Sequence, residues 1–440
     1  MFRQYLEGLG IAVGAHTFAR QDADVWVPPT GGYCKTVRFL VYPVYNAFLR
    51  KKASEKPSFL KTAEMLFLVT LALAAPVELV EYAPKKTTRH VLKSLDYHLS
   101  FEQYVAEYRK VYTDAEKPAR QAAFEASLAA IKAHNEQIPA PSWFMGLSEH
   151  SDKSKDEWAS LKGLHRGAFF SAAVAAVRAN TTRRFDPPAS LDWRDSGVVT
   201  PVKNQGGCGS CWAFSAAETV ESAYGMATLK ASGKAASIPI LSPQQLVDCA
   251  PNPEHCGGTG GCAGSTQPLA FQYLISSGGE DSDLDYPYTA RDGKCVAGSR
   301  KPVIGISGYE DLPMNDYTAL LEALVNEGPI AISVDASWGA YEDGVFSSDS
   351  NWLIDHAVQL VGYGTEGGKD YWLVRNSWGT SWGENGYIKL EKFGEGKEPC
   401  GTDTAPASGF VCEGGPSTIT VCGTSGMLSG SSYPTGAKLL

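Results

Sequence analysis

Residues 205–215, Q-G-G-C-G-S-C-W-A-F-S, constrain this chain more than any other stretch. Glycines and a polar turn precede Cys211, and a helix-compatible apolar pattern runs from Trp212 through Ala213, Phe214, Ala216, Ala217 and Val220. This pattern predicts Cys211 at a helix N-terminus, where unpaired N–H groups and the positive end of the helix dipole favour thiolate over thiol. A lone cysteine is more often a packed apolar residue or half of a disulfide. Two distant segments argue for chemistry instead. His356 lies in I-D-H-A-V-Q-L-V-G-Y-G and Asn376 in Y-W-L-V-R-N-S-W-G-T-S-W-G, both β-type runs leading into glycine turns. An imidazole within reach can take the thiol proton and return it to a leaving amine, and an amide oxygen on its second nitrogen fixes the ring.

Cys208 to Trp212 read C-G-S-C-W, which matches letter for letter the pattern C-G-[SA]-C-[WY] of papain-type enzymes, with His and Asn far downstream. From about Tyr97 to about Gly401 the chain resembles the papain family of cysteine proteases, in particular its cathepsin L-like members with an inhibitory propeptide. The resemblance implies an α+β, papain-like two-lobe fold: a helical left lobe and a β-barrel-like right lobe, preceded by a helical propeptide. The local patterns agree with two lobes. Helical periodicity occupies residues 211–227, 242–249 and 267–277, whereas beyond about Pro302 runs such as P-I-A-I-S-V-D alternate with glycine turns.

By resemblance, Cys211 is the nucleophile, His356 the general base and acid, and Asn376 the group that orients it. Gln205, six residues before the nucleophile, supplies with the Cys211 N–H the donors for a developing oxyanion. Trp378 is expected at the cleft, shielding the His356–Asn376 bond, and Trp382 in the core. Gly264 and Ser265 are expected on the strip that binds substrate backbone, and Thr266, Ser333, Ala357 and Ala405 in the S2 pocket, which implies an apolar P2 residue. Disulfides are implied for Cys208 with Cys262 and for Cys249 with Cys295; the pairing of Cys256, Cys400, Cys412 and Cys422 stays open. Nothing resembles an occluding insert, so an endopeptidase is expected. The reaction calls for no metal and no cofactor, and C-G-S-C has no second pair at ligand spacing with which to hold zinc.

Upstream, Glu116, Arg120, Phe124, Ser127, Ile131 and Asn135 follow the helical signature of the family's inhibitory propeptide, with Ser127 as the departure. Spacings of three and four put them on one face, where Glu116 and Arg120 can pair. Gly146, Ser148, His150 and Asp152 are a degenerate second signature, in which the family usually has Asn and Phe at the middle positions. In the family this region lies through the cleft in the reverse direction to substrate, so a zymogen with its own propeptide as inhibitor is implied.

Nine of the ten cysteines fall after residue 207, which favours an oxidising compartment. The apolar run at residues 65–75 has the length of a signal-peptide core and is too short to span a bilayer. Two readings of residues 1–64 stay open, a long leader or a gene-model extension ahead of Met65. The expected layout is an extension over 1–64, a signal-like segment over 65–80, the propeptide over 97–157, an activation linker over 158–185 with a sequon at Asn180 and Arg183-Arg184, and a peptidase over 186–440 with a glycine-rich tail. A net charge of −9 argues against nucleic acid as a partner. Protein or peptide substrates, no stable membrane span, a monomer, and a lysosomal, vacuolar or extracellular destination are expected. The competing functions are an inactive scaffold of the same fold and a Cys-His acyl or glutamyl transferase; the latter would not need an inhibitory propeptide.

Overall fold

The helix Cys211–Ser232 is the axis on which the rest is assembled. It is apolar nearly all round, so it can only be stable when surrounded, and almost every side chain from Cys211 to Met226 is buried. Gly233 ends it with φ 75°, a left-handed conformation that costs a residue without Cβ little. The helices Pro243–Cys249 and Gln267–Ser277 pack on one side of it, and the strands Ile330–Val334 and His356–Glu366 on the other. The computed structural model describes residues 99–162, 185–299 and 301–440. Cys34, the apolar run at 65–75, Asn180 and Arg183-Arg184 lie outside them. No helix among the described residues is long and apolar enough to cross a membrane.

A nine-stranded sheet forms the second half. Its order is Trp143–Met145, Tyr341–Phe346, Tyr387–Glu391, Lys369–Arg375, His356–Glu366, Ile330–Val334, Ser431–Thr435 and Gly308–Asp311, and Leu191–Asp192 adds to His356–Glu366. All pairs are antiparallel except Tyr341–Phe346 with Tyr387–Glu391. The lobe expected to be barrel-like is therefore an open sheet: its outermost strands, Trp143–Met145 and Gly308–Asp311, do not pair with one another. The glycine-rich tail is part of this sheet, because Ser431–Thr435 fills the place between Ile330–Val334 and Gly308–Asp311.

Buried polar groups fasten helix to sheet. Ser215 Oγ donates to the Val358 carbonyl at 2.7 Å, and Gln359 Nε2 donates to the Glu218 carbonyl at 3.1 Å. Glu218 pairs with Arg375 at 3.3 Å, and Glu221 with Lys203 at 2.7 Å. Such pairs add little over apolar packing, yet removing one partner strands a charge at a cost of about 3–5 kcal/mol. Four disulfides join the described residues: Cys208–Cys262, Cys249–Cys295, Cys256–Cys412 and Cys400–Cys422. They are the chemistry of an oxidising, secretory compartment.

The N-terminal part builds a small core of its own from Phe101, Tyr104, Phe124, Ile131 and Leu147. Within the helix Lys117–Asn135, Arg120 reaches past Glu116 to pair with Glu157 at 2.6 Å, while Glu116 accepts from the Thr113 N–H at the helix entry. The expected Glu116–Arg120 pair gives way to these because each acid finds a better-placed donor. Asn135 brackets Met145, with Nδ2 donating to its carbonyl and Oδ1 accepting from its N–H, both at 2.8 Å. That clamp presents Trp143–Met145 as an added strand on Tyr341–Phe346. The short helix Lys155–Leu161, opened by a Ser154 capping box, then aims the chain at Cys211.

Candidate active site

Cys211 is the first residue of its helix and the only free cysteine among the described residues. His356 opens the strand His356–Glu366, and Asn376 follows the end of the neighbouring strand Lys369–Arg375. The antiparallel pairing of those strands brings the two side chains together: His356 Nε2–H donates to Asn376 Oδ1 at 2.8 Å. His356 Nδ1 is buried without a hydrogen-bond partner, and His356 and Cys211 line one cleft.

Gln205 is held from both ends. Its Oε1 accepts from Ser377 Oγ at 2.7 Å, and its N–H donates to the Ser377 carbonyl at 2.8 Å. Ser377 also donates its N–H to Asn376 Oδ1 at 2.8 Å, so one residue holds both Gln205 and the imidazole's partner. Ser377 sits inside the N-S-W run, but its role depends on a contact across 172 positions that spacing does not reveal.

The N-terminal part covers these groups. Gln205 Nε2 donates to the Leu161 carbonyl at 2.7 Å, Cys211 Sγ lies 4.0 Å from the Lys162 carbonyl, and the Lys162 ammonium is 3.1 Å from Asp355 Oδ2. The cover changes the electrostatics. Burial pushes the Cys211 thiol up to about 12, outweighing the lowering by the Ala357 and Trp212 backbone groups. It pushes the His356 imidazole down to about 3, against the opposing bond to Asn376. Taking two charges out of water is costly, so thiol and imidazole are both neutral in the covered state. The thiolate expected from the sequence is not the form held beneath this cover.

Gly264, Ser265, Ser333 and Ala357 line the cleft with Cys211 and His356. Thr266 and Ala405 do not: Thr266 is the buried N-cap of Gln267–Ser277, and Ala405 precedes the turn Pro406–Ser408. Gln267, Ser408 and Gly409 stand on the wall instead, which makes it more polar than the sequence indicates. Trp378 is also not a cleft wall in this state. It is fully buried, its ring 4.7 Å from that of His356 and 5.3 Å from that of Trp158. Trp382 is core, with Nε1 donating to the Gly339 carbonyl at 2.8 Å. Of two candidate metal-ligand groups among the described residues, Glu254, Cys256 and Cys412 include two sulfurs already joined in a disulfide. In the other, Asp343, Glu366 and Glu384, Lys389 pairs with both glutamates at 2.5 and 2.9 Å.

Comparison with known proteins follows this geometry. Residues 187–410 match the profile of "Papain family cysteine protease", and residues 101–158 that of "Cathepsin propeptide inhibitor domain (I29)". The "Oryzain beta chain" of Oryza sativa subsp. japonica is 40% identical over 273 residues, 60% of this chain and 54% of its own length. The "Probable cysteine protease RD21C" of Arabidopsis thaliana is 36% identical over 349 residues, 78% of this chain and 74% of its own. The digestive procathepsin L2 proteinase from Tenebrio molitor larval midgut is similar in structure at a TM-score of 0.60 and 32% identity, covering 76% of this chain and 98% of that one.

Proposed function

The chain belongs to the papain family of cysteine proteases, and from that premise we propose that it is an endopeptidase made as a zymogen, in which residues up to Lys162 inhibit the enzyme they precede. The observation that carries this reading is the peptide bond at Leu161: its carbonyl oxygen accepts from Gln205 Nε2 at 2.7 Å, next to Cys211. A backbone carbonyl already occupies the place where a substrate's would become an oxyanion.

Once the cleft is uncovered, water and the helix N-terminus stabilise the thiolate, and His356 Nδ1 takes the proton from Cys211. The sulfur attacks the substrate carbonyl carbon, and the oxygen gathers negative charge against Gln205 Nε2 and the Cys211 N–H. Collapse of that intermediate breaks the C–N bond, with His356 giving its proton to the leaving amine. A water deprotonated by His356 then hydrolyses the thioester and returns Cys211 to its starting state. Asn376 holds the imidazole plane throughout.

With Ala357 beside Ser333 and Ser408 on the wall, the pocket suits a small P2 side chain better than a large apolar one. The chain acts as a monomer on protein or peptide substrates, in a lysosome, a vacuole or outside the cell. The test is to express the full chain, acidify it, and follow peptide hydrolysis with and without an epoxide that alkylates active cysteines. Hydrolysis blocked by the epoxide and absent from Cys211→Ser supports the reading; hydrolysis that persists in Cys211→Ser removes it.

A further inference from the structure

Among the described residues, one disulfide does what the other three do not. Cys208–Cys262 and Cys249–Cys295 stay within the helical half, and Cys400–Cys422 joins residues directly opposite one another on two paired strands. Cys256–Cys412 runs between the halves. Cys256 stands in the loop between the helices Pro243–Cys249 and Gln267–Ser277, and Cys412 in the loop of the hairpin formed by Cys400–Asp403 and Ile419–Cys422. The bond spans 156 positions, against 54, 46 and 22 for the others. Cys412 also lies past residue 410, where the match to the peptidase profile ends.

The root of this hairpin belongs to the sheet. Asn315 brackets its second strand, with Nδ2 donating to the Thr420 carbonyl at 2.8 Å and Oδ1 accepting from the Cys422 N–H at 2.9 Å. Asp403 accepts from the Ile354 N–H at 3.3 Å, and Cys422 packs in the core of the sheet. The tip crosses to the helices. There the Glu413 N–H donates to the Glu254 carbonyl at 2.9 Å, and the Gly257 N–H to the Val411 carbonyl at 3.3 Å. The backbones nearly touch: a Cβ on Gly257 would lie 2.5 Å from the Gly409 carbonyl. His255 Nδ1 is 2.6 Å from Glu413 Oε2, but both side chains are nearly half exposed, so that pair adds little. The covalent bond carries the tie.

Between root and tip, Ser408 and Gly409 stand on one wall of the cleft and Gly257 faces them from the other half. The spacing of these walls therefore depends on a single S–S bond. That bond is open to the chemistry the enzyme itself requires. Cys211 reacts only while a reductant keeps it from oxidation, and the same reductant meets the disulfide. Cys256 is buried and Cys412 only partly so, which gives a thiolate its approach from the Cys412 side.

Resting on the peptidase reading, we propose that Cys256–Cys412 is a reducible brace that positions the cleft wall, and that its reduction by a dithiol weakens substrate binding without disabling Cys211, His356 or Asn376. One thiolate of the dithiol attacks Cys412 Sγ, the S–S bond breaks, and Cys256 leaves as a thiolate. The second thiol then closes on the mixed disulfide. Two electrons and two protons pass to the protein, which gains two thiols, and the dithiol departs as its own disulfide. The hairpin loop swings on its root, and the wall loses its fixed position.

The experiment assays the enzyme processed from the full chain on one peptide, in a mild monothiol that keeps Cys211 reduced and in a strong dithiol. Active sites are counted with the epoxide, and freed Cys256 and Cys412 are alkylated and identified by mass. KM should rise at least about fivefold as the two cysteines become alkylatable, with kcat per active site within about twofold. The double variant Cys256→Ser, Cys412→Ser should show the raised KM already in the monothiol, with no further rise in the dithiol. A wild-type KM that stays within about twofold after both cysteines are freed overturns the proposal without any variant having to fold. So do cysteines that stay joined in the dithiol, a fall in kcat at constant KM, or a KM that still rises with dithiol in the double variant. Absence of hydrolysis by the wild type under either reductant would instead remove the peptidase reading on which the proposal rests.

Discussion

The side-chain amide of Gln205 is spent on the carbonyl of Leu161 at 2.7 Å, so the donor that would stabilise a substrate's oxyanion is occupied by the chain's own N-terminal part. Inhibitor and substrate compete for one hydrogen bond. In the processed enzyme, Gln205→Ala should lower kcat by roughly 10²–10³-fold with a small change in KM, because the bond strengthens only as charge develops. Steady-state kinetics on one peptide reads this directly. A rise in KM at constant kcat would mean that Gln205 serves ground-state binding.

His150 should make the cover acid-labile. It is buried between the Trp158 and Trp378 rings, with Nε2–H donating to the Trp378 carbonyl at 3.2 Å and Nδ1 without a partner. Glu149 stands 3.8 Å away; the Lys153 and Lys110 charges disfavour protonation of His150, and the bond to Trp378 and the Asp152 carboxylate favour it. Burial dominates and pushes the imidazole down from 6.5 to about 3. The docked form therefore binds fewer protons than the released form. Docking stability is complete above about 6.5 and is lost progressively as the pH falls towards about 3. His150→Phe, the residue usual in the family, should move the pH midpoint of processing down by at least about half a unit, measured as processed fraction against pH. An unchanged midpoint would assign the acid response to other groups.

Glu280 should set an upper pH limit on stability. Both carboxylate oxygens are fully buried without hydrogen-bond partners, and burial raises the group well above 4.5, with Glu221 and Asp281 adding and Lys203 opposing. The folded state holds this proton more tightly than the unfolded one. Its contribution is greatest below about pH 4.5 and declines as the pH rises beyond that. Glu280→Gln should raise Tm at about pH 7 and leave it nearly unchanged at about pH 4, as thermal unfolding scans at the two values would record. An equal shift at both would point to packing rather than ionisation.

The candidate site groups are legible in the sequence because each sits in a local run that also sets its local geometry: Cys211 at a helix start, His356 at the start of one strand and Asn376 just past the end of its neighbour. Asp355 and Ser377 lie inside those runs, yet their partners, Lys162 and Gln205, lie far away in the chain. The link between Cys256 and Cys412 spans 156 positions, and no local pattern encodes which sulfurs meet. Ser431–Thr435, S-S-Y-P-T, carries too weak a strand pattern to announce that it sits between two others in the sheet. Thr266 and Ala405 stay off the cleft wall because capping and turn geometry, rather than residue type, decide which side chains face the opening.

Cys211 is a neutral thiol beneath Leu161 and Lys162 and becomes a reactive thiolate once they leave. The pH dependence of alkylation by iodoacetamide, compared between intact and processed protein with Cys211→Ser as the blank, tests it most directly. The processed enzyme should take up one equivalent rapidly even at about pH 6, whereas the intact chain should react slowly throughout the neutral range. Equal rapid alkylation of both forms, or none of either that depends on Cys211, would contradict the account.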